Sequence, residues 1–87
     1  MSELSLEHLH PMVAKEVRLW RESAARKRED ARRMMQGRLS TDRLVRFDEP
    51  QAVTQEVMEA ALRLYDAALR CDAKAAWWST RRVTGHC

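Results

Sequence analysis

The chain has 87 residues, with sixteen Lys and Arg against thirteen Asp and Glu and a formal net charge of +3. One domain with a modest core fits that length, and two glycines and two cysteines leave no room for a glycine-rich phosphate loop or a disulfide framework. No apolar run approaches the ~20 residues of a membrane span and no secretory leader pattern opens the sequence, so a soluble, cytoplasmic protein is expected.

Glycine and proline are the strongest local punctuation in a sequence. Here Pro11, Gly37, Pro50 and Gly85 divide the chain into two long runs with apolar residues at helical spacing. Residues 1–10 read as an N-terminal arm. Proline favours the first position of a helix, so Pro11 after His10 starts the first predicted helix, over 11–37. Its seam is Val13, Val17, Trp20, Ala24, Ala31 and Met34, a heptad pattern interrupted at Lys27. Gly37 suits the C-terminal cap, and Arg32 and Arg33 suit the negative end of the helix dipole.

Residues 38–49 form the predicted connector. Ser40, Thr41 or Asp42 suits the cap of a short helix through Phe47, whereas the alternation Thr41, Arg43, Val45, Phe47 suits an extended strand. Leu39, Leu44, Val45 and Phe47 are too apolar for a bare loop, so packing against another part of the structure is expected.

The second predicted helix covers 50–83, with Asp48 and Glu49 ahead of Pro50 at its positive end, and 84–87 form a tail. Its main stripe is Val53, Val57, Ala60, Ala61, Leu64, Ala68, Cys71, Ala75 and Trp78. A second stripe, Met58, Leu62, Tyr65, Leu69 and Ala76, lies about 100° around the axis, taking about 100° per residue. One partner helix cannot cover both stripes. Either the connector residues Leu44, Val45 and Phe47 fold over the second, or another chain does. The tract Tyr65–Trp77 is similar over about a dozen residues to the second helix of a tetratricopeptide repeat. The preceding repeat helix and its glycine turn are missing, so no repeat architecture is expected.

The expected fold is therefore all-α: an antiparallel two-helix hairpin with a short structured connector, completed by dimerisation or by docking on a partner. Small hairpins commonly need such completion. Charge divides between the two halves. Lys15 to Arg46 holds eleven basic and five acidic residues, and Asp48 to Asp72 holds six acidic and two basic ones, so the helices attract each other.

Chemistry-bearing residues are sparse. His8, His10, His86 and Cys87 lie near the two termini, which a hairpin brings to one end. Two histidines, a thiolate and a further ligand suit tetrahedral zinc, but the spacing matches no common zinc signature. Cys71 sits on an apolar stripe, where a small hydrophobe is the ordinary role. Sixteen residues separate it from Cys87, about 24 Å along a helix and too far for one disulfide. No activated nucleophile, di-metal carboxylate pattern or phosphate loop is present, so neither an enzyme nor a cofactor is expected.

Two binding surfaces remain. Arg18, Arg21, Arg26, Arg28, Arg32 and Arg33 make a basic face on the first helix, continued by Arg38, Arg43 and Arg46, that suits DNA or RNA backbone. Glu16, Glu22, Glu29 and Asp30 interleave with it and offer local ion pairs such as Glu22–Arg26 and Glu29–Arg33. The protein-binding candidates are Met58, Leu62, Tyr65, Leu69, Trp77, Trp78, Arg81 and Arg82, since Trp and Arg are typical interface anchors. The expected function is a small non-enzymatic regulator, inhibitor or accessory subunit, of the phage or plasmid type, docking on a larger protein or nucleoprotein or forming a homodimer. The alternative is direct nucleic-acid binding through the arginine face.

Overall fold

The computed structural model describes residues 10–80. It contains two helices, α1 (Pro11–Met35) and α2 (Gln55–Ser79), packed on each other along their length as an antiparallel hairpin. No strand is formed among the described residues, and no helix among them is long and apolar enough to cross a membrane.

Pro11 takes the first position of α1, and the His10 Nδ1 caps that end by accepting from the Met12 amide at 3.1 Å. The helix stops at Met35, short of Gly37. The Gly37 amide donates to the Met34 carbonyl at 2.9 Å and the Arg38 amide to the Arg33 carbonyl at 2.8 Å, with Gly37 at φ +74°. This is a Schellman closure, with glycine one residue beyond the cap. Glycine is required there for a second reason. The Gln51 amide donates to the Gly37 carbonyl at 2.8 Å, and a Cβ on Gly37 would lie 2.1 Å from the Gln51 carbonyl oxygen.

That crossing also explains why α2 begins at Gln55 and not at Pro50. The Gln51 amide is committed to Gly37, so residues 50–54 stay extended over the end of α1. Thr54 then supplies the N-cap, its Oγ1 accepting from the Val57 amide at 3.2 Å. Val53, expected on the apolar stripe, consequently lies ahead of the helix and is exposed.

The connector is extended. Leu39 and Arg46 form an isolated antiparallel bridge, flanked by hydrogen bonds from the Ser40 amide to the Val45 carbonyl and from the Phe47 amide to the Arg38 carbonyl. The Arg43 amide donates to the Ser40 carbonyl, closing a turn, and Arg43 itself sits at φ +64°. The Asp42 carboxylate accepts from the Ser40 hydroxyl at 2.5 Å and from the Leu44 amide at 3.0 Å. Arg43 reaches Asp30 of α1 at 3.6 Å and anchors the turn.

Of the connector's apolar residues only Leu39 enters the core, with Ala31, Met34 and Ala61. A second cluster joins Val13, Val17 and Ala75 to Trp20 and Trp78, and a third joins Ala24, Ala68 and Cys71. The predicted seam of α1 is buried throughout, apart from Trp20, which is half-buried. Small residues dominate the contact: Ala24, Ala31, Ala61, Ala68 and Ala75 are all buried. The interruption at Lys27 is a partly buried polar layer. Its ammonium donates to the Ser23 hydroxyl at 2.8 Å, and the Cys71 thiol donates to the same oxygen at 3.6 Å.

Candidate protein-docking surface

The second stripe of α2 is left uncovered by the rest of the described chain. Leu62 is 65% exposed and Leu69 63%, and Met58, Tyr65 and Ala76 are also exposed. The connector does not reach it. Leu44 is 82% exposed and Val45 is exposed too, so the alternative in which the connector closes this face does not hold.

The stripe has a definite pattern. Met58, Leu62, Tyr65, Leu69, Asp72 and Ala76 follow one another at steps of four, three, four, three and four. That is a heptad seam in which leucines occupy alternate positions and one position is polar. Asp72 is held by an ion pair to Arg28 of α1, with both side chains partly exposed.

Both edges of the seam carry charge of both signs, much of it paired. Along the inner edge, Ala25, Arg28, Glu29 and Arg32 of α1 line a shallow concavity with Tyr65. Arg32 is paired to Glu29, which also accepts from Arg33 at 3.3 Å. The Arg32 hydrogen bond holds the Glu29 carboxyl below the usual carboxylate range, and Glu29 in turn raises Arg32. Along the outer edge, Glu59, Arg63, Asp66 and Arg70 each follow a seam residue. Asp66 pairs with Arg70 at 2.8 Å, and Glu59 accepts from the Gln55 amide nitrogen at 3.1 Å.

Trp77 and Trp78 divide their roles. Their rings meet edge to face, with centroids 5.0 Å apart. Trp78 packs on Val13, Val17 and Ala75, whereas Trp77 is 47% exposed and lines a concavity with Arg70, Ala73 and Lys74. The Lys74 ammonium lies 5.8 Å from the Trp20 ring centre. Arg81 and Arg82 lie outside the described residues.

The arginines of α1 differ in their pairing. Arg28, Arg32 and Arg33 are engaged by Asp72 and Glu29, while Arg18, Arg21 and Arg26 are exposed and have no ion pair among the described residues. The expected Glu29–Arg33 pair is formed; a Glu22–Arg26 pair is not. Arg33, Arg38 and Arg46 come together beside Phe47 at the end of α1, a grouping that depends on the connector bridge.

Of the zinc candidates, only His10 is described, and its Nδ1 is the helix cap. His8, His86 and Cys87 lie outside the described residues. No group of three metal-ligating side chains converges among those described. Sequence reasoning passed over Met12 and Leu19, exposed on α1 away from its seam. Their separation by seven residues was the available signal.

The chain matches no protein-family model, no curated protein and no solved structure.

Proposed function

We propose that this chain is a non-enzymatic protein-binding module, a small regulator, inhibitor or accessory subunit that works by occupying its partner through the outer face of α2. What carries this is the uncovered heptad seam around Leu62 and Leu69 on a helix whose other apolar stripe is already buried. Monomers rarely leave a contiguous apolar patch open without an interaction to fill it. Leu62 and Leu69 supply the apolar anchors, and the mixed charges on the two rims supply electrostatic selection. The free, buried thiol of Cys71 suits a reducing cytoplasm.

A second function, contact with nucleic-acid backbone, draws on the grouping of Arg33, Arg38 and Arg46 beside Phe47. The two separate in one experiment. Tagged protein is used to capture partners before and after nuclease treatment, with the Leu62→Glu/Leu69→Glu and Arg26→Glu/Arg33→Glu variants alongside. Docking through α2 predicts nuclease-resistant capture that the leucine variants abolish and the arginine variants largely keep. Loss of every partner with nuclease, together with dominance of the arginine variants and a steep fall with salt, would replace it with the nucleic-acid function.

A further inference from the structure

We infer that Arg33, Arg38, Arg46 and Phe47 form a binding site for single-stranded nucleic acid, with a phosphate on the arginines and the adjoining base stacked on the Phe47 ring. This rests on the second function above, contact with nucleic-acid backbone, and is independent of the apolar face of α2. It adds the strandedness and the base contact.

The fold assembles the site from three places. Arg33 lies in the last turn of α1, Arg38 in the Schellman closure that follows, and Arg46 and Phe47 on the returning side of the connector. The Leu39–Arg46 bridge and the bond from the Phe47 amide to the Arg38 carbonyl set these against one another. With Gln36 and Asp48 they line an open concavity of about 360 Å³.

Pairing within the chain leaves the site positive. Arg33 donates from Nε to Glu29 at 3.3 Å, and Glu29 is shared with Arg32. Arg38 donates from Nη1 to the Asp48 backbone carbonyl at 2.5 Å, which positions the guanidinium without neutralising it. Arg46 is exposed and has no ion pair among the described residues. Asp48 contributes the acidic side chain of the lining. With Arg32 and Glu29 included, four cations stand against two carboxylates. The last carbonyls of α1, which would repel an anion, accept from the Gln36, Gly37 and Arg38 amides. A guanidinium with one nitrogen engaged keeps further N–H donors, in a planar geometry that matches phosphate oxygens.

Phe47 points to the ligand class. It is half-buried in the wall of the same concavity, beside the Gln36 amide, which both donates and accepts. A phosphate alone makes no use of an aromatic ring. A nucleotide carries a planar base beside each phosphate, and a basic groove combined with base–aromatic stacking is the usual means of holding a single strand. Bases inside a duplex are stacked on one another and do not reach such a ring. Arg26 extends the path, exposed two turns before Arg33 on the same side of α1, roughly 10 Å along the axis. Glu29 between them is held by Arg32 and Arg33. Glu22, a turn beyond Arg26, has no arginine partner among the described residues and ends the path, so the bound strand is short.

Fluorescence anisotropy of the full chain with a labelled oligodeoxythymidylate of about ten nucleotides, against a mixed-sequence duplex of the same length, tests the site. The single strand should bind more tightly than the duplex, and its affinity should fall with salt. Arg46→Glu, an exposed position that should leave helical circular dichroism unchanged, should weaken binding at least tenfold. Phe47→Leu should lose roughly tenfold for the single strand, and Phe47→Tyr, which keeps the ring, should keep the affinity. Equal binding of single strand and duplex, or indifference to both Phe47 variants, overturns the inference while leaving backbone contact standing. No binding of either form overturns both. Displacement of the oligonucleotide by an equal concentration of a serine-phosphorylated peptide also overturns it, since the arginines would then read a phosphate without its base.

Discussion

Arg28 of α1 and Asp72 of α2 form an ion pair that ties the two helices together at the edge of the exposed seam of α2. Both side chains remain more than a third exposed, so solvent screening keeps the pair weak. A double-mutant cycle between Arg28→Ala and Asp72→Ala should give a coupling of about 0.2–1 kcal/mol by denaturant unfolding. The larger consequence concerns association. Asp72 occupies a seam position at which every other turn carries an apolar side chain, so Asp72→Leu completes the heptad pattern. That variant should associate more tightly in sedimentation, despite the unpaired Arg28 it leaves. Unchanged or weaker association would remove residues 72–76 from the docking surface.

Gly37 holds two constraints at once, and replacing it tests the connection between α1 and the connector. Its φ of +74° is unfavourable for any side chain, and a Cβ there would run into the Gln51 carbonyl oxygen. The left-handed conformation alone costs a non-glycine residue roughly 1–2 kcal/mol. The clash is with backbone, which cannot swing away as a flexible side chain would. Gly37→Ala should therefore lose more than about 2 kcal/mol in chemical denaturation. A loss below ~1 kcal/mol would mean that the crossing of residues 50–54 over the end of α1 is not held as described.

The same pair of residues shows where sequence reasoning reached and where it stopped. The seam of α1 and the buried stripe of α2 were legible because periodicity reports which side chains share a helix face, and helix packing follows from that. The uncovered stripe was legible for the same reason. The start of α2 was not. Proline at Pro50 behind two acidic residues is a sound local start signal, but Gln51 is claimed by Gly37, fourteen positions earlier in the chain. Thr54 then takes the capping role. Connector geometry was likewise hidden, because Arg43 adopts a positive φ that no arginine advertises, in a turn organised by the Asp42 and Ser40 side chains. The division of Trp77 from Trp78 followed from helical phase, since only Trp78 continues the buried stripe.

Acid should loosen the connector before it melts the core. The Ser40 hydroxyl and then the Leu44 amide hold the Asp42 carboxyl below its ordinary value, and Arg32 does the same for Glu29. A carboxylate whose folded pKa is depressed stabilises the fold above its unfolded pKa. That stabilisation is lost as pH falls through the depressed folded value. Stability should thus be flat near neutrality and decline below about pH 4, the ordinary carboxylate range. Asp42→Asn retains an acceptor but removes the charge, so its decline should be shallower than that of the parent chain. Thermal unfolding scans across pH would check this, and parallel declines for both proteins would dissociate Asp42 from the acid response. The raised Arg32 pKa acts in the opposite direction. Its contribution is present below the unfolded arginine pKa and lost only at strongly alkaline pH, outside the window of the scan.

The buried core of this hairpin is built largely from small side chains. Its largest fully buried side chains are Met34, Val13 and Val17, joined by Leu39 and several alanines, with half-buried Trp20, Trp78, Val57 and Leu64 packed on them. Alanine lets the helices approach closely but buries little apolar area, at roughly 25 cal/mol per Å². Two consequences follow. Ala68→Leu, placed on α2 beside Cys71 where Ala24 of α1 packs, has no room for its added methylenes and should cost about 1–3 kcal/mol through overpacking. Meanwhile the exposed seam offers the apolar area that the intrachain seam lacks, so folding should be coupled to association. For a chain stabilised by its own copy, the unfolding midpoint rises with protein concentration. Scans across a hundredfold range should shift the midpoint upward by several degrees for the parent chain and hardly at all for Leu62→Glu/Leu69→Glu, whose midpoint should lie lower throughout. A concentration-independent midpoint for the parent, at a temperature typical of an independent domain, would show that the alanine seam and the larger side chains packed on it hold the hairpin without help.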